Sequence, residues 1–217
     1  MLKIVIGNKN YSSWSMRAWV ALKQTGAPFE EVLVPLDTPQ TAEGIAKHSA
    51  AGKVPVLIDA GVTVWDSLAI CEYLAEKFPE AKLWPEEREK RAVARSVCAE
   101  MHSGFQALRN DCPMKIKARL PVGTMRPELA ADVQRVSNLF AGTRKQYGSG
   151  GPYLFGAFSN ADAFFAPVAA RVKTYALPLE PAAQEYVDAL WAAPAVKAWV
   201  DGALAEQLEV PRYEQKK

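Results

Sequence analysis

The sequence predicts an α/β domain followed by an all-α domain. Three observations carry this. Residues 1–79 alternate short β-branched apolar runs with helical spacing, in the order βαβαββα. A linker, residues 80–87, then follows Pro79 and contains Pro85. Over residues 88–217 no strand with turn signals recurs, and the apolar residues keep helical periodicity.

Leu2 to Ile6 is β-branched and apolar, and reads as a buried strand. From Ser15, apolar Trp19, Val20 and Leu22 have helical spacing, and the helix stops at Gly26 before Pro28. Phe29 to Leu36 is a second strand, and Pro35 and Pro39 shape its exit loop. Thr41 to His48 allows one short helix. Val54 to Asp59 and Val62 to Trp65 form a hairpin across Asp59-Ala60-Gly61. Asp66-Ser67 opens a helix that ends at Pro79. A crossover helix between the first two strands makes them parallel, and the hairpin adds an antiparallel edge.

In the second part, a long helix is expected over Glu89 to Leu108, extending toward Arg119 with a break near Pro113. Pro127 to Tyr147 follows, with proline in its first turn. Gly148 to Gly151 is a loop. Ala161 to Tyr175 is a mostly apolar helix, and two shorter helices, Glu185 to Trp191 and Ala195 to Glu206, flank Pro194. Ser159-Asn160-Ala161-Asp162 has the spacing of a capping box.

The charge balance, 26 basic against 24 acidic residues, gives no reason to expect a nucleic acid or a membrane surface as partner. No apolar stretch approaches the roughly 18 residues of a spanning helix. Cys71, Cys98 and Cys112 are widely spaced and form no CxxC, which points to a reducing cytoplasm. Cys71 and Cys98 fall in amphipathic helices and belong to the core, whereas Cys112, next to Pro113, is open to exposure. Neither His48 nor His102 has neighbours at metal-ligand spacing, so no metal is expected.

The chemistry concentrates in Asn8 to Trp19. This stretch leaves the first strand and packs Ser12, Ser13 and Ser15 into a strand-to-helix turn. A helix starting there presents free N–H groups and the positive end of its dipole, and serine hydroxyls beside it can donate to an anion.

Three local motifs in this order resemble the soluble glutathione transferase superfamily. Ser12-Ser13-Trp14-Ser15 followed by Arg17 looks like its serine-type active-site loop, nearest the zeta class, where a Ser-Ser-Cys run precedes the helix. Here Trp14 replaces the cysteine. Gly52-Lys53-Val54-Pro55-Val56-Leu57 resembles the family's cis-proline segment, and Asp66-Ser67 resembles the acid-serine pair that holds a γ-glutamyl group.

The resemblance implies a thioredoxin-like first domain, glutathione as cosubstrate and a two-fold homodimer. It assigns Ser12 as the hydroxyl donor to the thiol, with Ser13 next and Tyr11 third. It further implies that Lys53, Val54, Pro55, Asp66 and Ser67 bind glutathione. A small hydrophobic electrophile is expected in the cleft between the domains, against Trp14, Met16, His102, Phe105 and Arg109. The activity implied is glutathione transfer. A zeta-type cis-trans isomerase and a non-catalytic interaction module of the same fold are the alternatives.

Overall fold

The computed structural model describes residues 1–214. Four strands form one mixed sheet in the order β2-β1-β3-β4: β1 Leu2–Ile6, β2 Phe29–Leu33, β3 Val56–Asp59 and β4 Val62–Trp65. β1 runs parallel to β2, with Leu2 opposite Phe29 and Ile6 opposite Leu33. β3 is antiparallel to β1, with Ile4 opposite Leu57, and β4 returns from β3 as a hairpin. Ala60 and Gly61, with φ of 46° and 92°, supply the two left-handed residues of a tight hairpin turn.

Prolines shorten two strands relative to the sequence pattern. β2 ends at Leu33 rather than Leu36. The Val34 N–H still reaches the Ile6 carbonyl at 2.8 Å, but Pro35 has no N–H with which to continue. β3 begins at Val56 rather than Val54, because Pro55 cannot donate to the ladder; the Val54–Pro55 peptide bond is cis.

α1 (Ser13–Gln24) crosses from β1 to β2, and Gly26, at φ 73°, breaks the chain after it. α2 is Thr41–Ala46, and α3 (Ser67–Lys77) leads into a 3₁₀ turn at Pro79–Ala81.

The long helix expected to run through Leu108 is broken. α4 covers Arg88–Ser103 and α5 covers Gln106–Asp111. Between them, Phe105 takes a left-handed φ of 59°. Arg109 folds back onto the frayed end of α4. Its Nε donates to the Gly104 carbonyl at 2.9 Å, and its guanidinium also reaches the Met101 carbonyl. These are the orphan carbonyls that a helix end must satisfy, so the break is supported by a side chain that arrives from the next helix. Residues 112–119 are not helical either. Their carbonyls at Cys112, Pro113 and Lys115 accept from Arg171, Tyr175 and Thr174 instead.

α6 (Pro127–Tyr147), α7 (Asn160–Tyr175), α8 (Pro181–Ala192), α9 (Pro194–Ala205) and the short α10 (Pro211–Glu214) complete the helical domain. α7 is its axis, buried along almost its whole length. The capping box holds: Asp162 accepts from the Ser159 N–H at 2.8 Å, and the Ser159 side chain accepts from the Asp162 backbone. Asp162 also accepts from the Leu154 N–H and the Tyr186 hydroxyl. Burial nevertheless pushes its carboxyl up to about 6.

The two domains share one core. α1 packs on α7 and α9, Trp19 meets Trp199 edge-on at 5.5 Å, and the Asn160 amide donates to the Cys71 carbonyl. All three cysteines are free and buried. Cys112 is therefore not exposed: the 112–116 segment folds under α7. Among the described residues no helix is long and apolar enough to cross a membrane.

Candidate active site

An open cleft of about 2410 Å³ lies between the sheet domain and the helical domain. Three separate segments of the first domain bring polar groups to it.

The first segment is the turn after β1. Side chains from both domains hold it. Asn8 accepts from the Leu36 N–H at 2.8 Å and donates to Glu206, which also takes the Lys9 N–H. Asn10 accepts from the Ile116 and Lys117 N–H groups. The Tyr11 and Ser12 N–H groups both donate to the Asn8 carbonyl, which tightens the turn. Ser12 then caps α1, which begins at Ser13, two residues earlier than the apolar spacing indicates. The Ser12 Oγ lies 2.8 Å from the Ser15 Oγ, and the Ser15 Oγ accepts the Gly7 N–H at 3.1 Å. The result is a continuous polar chain from strand end to helix cap. Ser12 and Ser13 both line the cleft and are both nearly buried.

The second segment is Gly52-Lys53-Val54-Pro55, where Gly52 has φ 65°. The third is Asp66-Ser67. Asp66 holds φ 74° and ψ 133°, a costly conformation for a residue with a Cβ, and caps α3 by accepting the Leu68 N–H at 2.8 Å. The Ser67 hydroxyl is buried, has no hydrogen-bond partner among the described residues and belongs to the cleft wall. An unpartnered buried hydroxyl costs free energy unless a ligand or water meets it.

The helical domain supplies the facing wall. His102 reaches across to Asp66, with 3.4 Å between Nε2 and the carboxylate, and packs edge-on against Trp14 at 5.1 Å. The Trp14 indole is partly exposed and carries the Arg17 and Arg109 guanidiniums over its ring, at 4.4 and 5.0 Å.

Two of the expected wall residues are elsewhere. Met16 is fully buried and belongs to the hydrophobic core, not the cleft wall. Phe105 is buried too: the break after Ser103 turns it into the core, and it is absent from the cleft wall. Arg109 does line the cleft, but its guanidinium is committed to the carbonyls that end α4. The Tyr11 hydroxyl donates to Glu214 at 2.7 Å, and burial together with that carboxylate pushes it up to about 12.

Sequence reasoning gave no role to Asn8, Asn10 or Arg171, and placed Ser15 and Arg17 only as members of the serine loop. Arg17 is fully buried, its guanidinium nitrogens have no hydrogen-bond partner among the described residues, and burial lowers it to about 9. The paired asparagines flanking Lys9 were the one available signal, since asparagine side chains commonly organise turns.

The sheet order, the serine-capped α1 and the Asp66-capped α3 define a thioredoxin-like domain joined to a helical one across a cleft lined by polar groups. Residues 11–77 match the family described as the glutathione S-transferase N-terminal domain. The rat maleylacetoacetate isomerase is 31% identical over 176 residues, 78% of each chain. The probable maleylacetoacetate isomerase of Caenorhabditis elegans is 35% identical over 99 residues, so that match spans 46% of its length. Among solved structures, a Burkholderia glutathione transferase homologue with bound glutathione superposes with a TM-score of 0.72 at 26% identity, covering 94% of this chain and 99% of that one. The chain belongs to the glutathione S-transferase superfamily, nearest its zeta class.

Proposed function

We propose that the protein is a glutathione S-transferase that uses the Ser12 hydroxyl to hold the glutathione sulfur as thiolate for attack on a small hydrophobic electrophile. One observation carries the reading: the serine cap of α1, the Val54-Pro55 segment and the unpartnered Ser67 hydroxyl, remote in sequence, line one cleft. In this reading the Val54 backbone pairs with the extended tripeptide as an added strand would. Ser67 and the α3 N-terminus take the γ-glutamyl carboxylate, and Asp66 takes its ammonium. Lys53 lies beside the peptide.

The energetics suffice without a dedicated base. A thiol of pKa about 8.5 needs about 2.7 kcal/mol of differential stabilisation to drop two units. A hydroxyl hydrogen bond to a charged group supplies about 1.5–3 kcal/mol, and the α1 N-terminus about 0.3–1. Rotating two hydroxyl protons makes Gly7 N–H, Ser15 and Ser12 a chain of donors that ends on the sulfur, with no heavy atom moved.

The isomerase relatives favour a second reading, in which glutathione adds to a cis double bond and leaves after rotation. Retention on immobilised glutathione together with turnover of chlorodinitrobenzene supports the transferase; turnover of maleylacetone in preference to it supports the isomerase. Absence of both retention and turnover refutes the shared premise. We also propose a two-fold homodimer, on family analogy, which sedimentation measures directly.

A further inference from the structure

Arg17 lies in the second turn of α1, and the glutathione subsites above leave it without a task. It is fully buried, and none of its three guanidinium nitrogens has a hydrogen-bond partner among the described residues. The Trp14 and Phe164 rings cover it, at 4.4 and 4.8 Å. The charged and titratable groups that face it come from four other helices: Cys71 on α3, Cys98 on α4, Arg109 on α5 and Arg171 on α7. None of them is a carboxylate. Burial, and then the two arginines, lower it to about 9, which still leaves it charged at neutral pH.

A buried ion without a counter-charge costs stability, and an apolar residue of similar length would fill the space without that cost. Contact with a ligand does not offset it, because Arg17 is absent from the cleft wall. Its charge nevertheless lies close behind the proposed chemistry. Helical side chains lean toward the N-terminus of their helix. Arg17 stands four residues after Ser13 and three after Trp14, so it shares their face of α1. The contact with the Trp14 ring places the guanidinium beside the first turn. Ser12 caps that turn, and Ser12, Ser13 and Trp14 line the cleft.

From its burial, its orphaned N–H groups and its place behind the serine turn, we infer that Arg17 is a positioning residue of the thiolate site, a permanent cation whose field favours the sulfur anion through Trp14 and the first turn of α1 without touching it. The inference rests on the glutathione-transfer reading. It adds a contact-free source of stabilisation to the Ser12 hydroxyl. When the thiol ionises, its proton passes to water and the electron pair stays on sulfur. That anion is the counter-charge the surrounding helices do not supply. A unit charge roughly 10 Å away, across an effective dielectric of about 20, shifts a thiol by about one pKa unit. A cation with no exposed surface is screened only weakly by salt.

The test compares Arg17→Met, which removes the charge and every orphaned N–H at similar length, with Arg17→Lys, which keeps the charge. Ultraviolet titration of the bound glutathione thiolate is expected to move up by about one unit in Arg17→Met and to stay near the wild type in Arg17→Lys. Denaturant melting is expected to show Arg17→Met at least as stable as the wild type, since an unpaired buried ion has been removed. With the two-unit depression of the thiol proposed above, the Kd of glutathione at pH 7 should rise about three-fold in Arg17→Met. S-methylglutathione has no ionisable thiol, and its Kd should be alike in the two proteins.

A second measurement needs no variant. The thiolate titration of the wild-type complex, repeated at about 0.05 and 0.5 M salt, is expected to stay within about 0.3 units, because a buried charge acts below the reach of counter-ions. A rise of about one unit in high salt would assign the stabilisation to solvent-facing charges and overturn the inference. So would an Arg17→Met titration superimposable on the wild type, and if that variant also melts early, Arg17 is structural alone. Either result leaves the transferase reading standing, because glutathione is still bound and turned over. Absence of both retention and turnover in the wild type refutes that reading itself.

Discussion

Replacing Ser12 by alanine separates a structural from a chemical role at one atom. The structural share is small. As a cap, the Ser12 Oγ accepts the Ser15 N–H at 3.4 Å, a long bond, and the Gly7 N–H keeps its acceptor on Ser15 in the variant. The stability loss should therefore sit near the low end of capping effects, about 0.5–1 kcal/mol. The chemical share is larger. Losing a hydroxyl bond to a thiolate is worth about 1.5–3 kcal/mol, which raises the pKa of the bound thiol by about 1.1–2.2 units. The assay is the ultraviolet titration of the glutathione thiolate in the complex, alongside the pH profile of kcat/KM with chlorodinitrobenzene. The Ser12→Ala curve should move to higher pH by about one to two units. The rate deficit should be about ten-fold or more at pH 6.5 and close above pH 9, where glutathione ionises unaided. Ser13→Ala should shift the titration much less. Superimposable wild-type and Ser12→Ala titrations, in proteins that both melt cooperatively, would remove Ser12 from the mechanism and with it the Ser15 relay.

Other consequences are equally direct. The folded Asp162 carboxyl sits at about 6, above its unfolded value of 3.8, because burial outweighs its donors. Its contribution to stability is thus fully present below about pH 4 and lost as pH rises through 6. Urea denaturation should show the advantage of wild type over Asp162→Asn largest near pH 4 and smaller at pH 7; the opposite slope would contradict the burial account. Trp14→Ala strips one of the two rings, at 4.4 and 4.8 Å, that cover the buried Arg17. It should cost about 2 kcal/mol, the scale of a desolvated cation–π contact, and a loss below about 0.5 kcal/mol in denaturant titration would show that Phe164 alone suffices. Burial pushes all three thiols up, Cys112 to about 11. Iodoacetamide should therefore label them at the rate of unfolding, and rapid labelling of native protein, followed by mass spectrometry, would disprove their burial.

What the sequence settled by itself was local. Prolines and glycines mark ends, as at Gly26 and Pro127, and the spacing of Ser159 and Asp162 starts a helix, because these effects act within one turn of backbone. The order of elements was legible for the same reason, and Ser12, Val54-Pro55 and Asp66-Ser67, each at a strand end or helix start, line one cleft.

Tertiary structure decided what depends on partners remote in the chain. The break at Gly104-Phe105 is invisible to periodicity, since it is sustained by Arg109 capping α4 from the next helix, and that break moved Phe105 off the cleft. Met16 fell on the inner side of α1, a choice helical spacing alone leaves open. Arg17 and Arg171 were the deepest surprise. Sequence patterning places arginine at the surface, because burying a charge in isolation is prohibitive. Only the assembled core, with aromatic rings over one guanidinium and backbone carbonyls beneath the other, makes their burial possible.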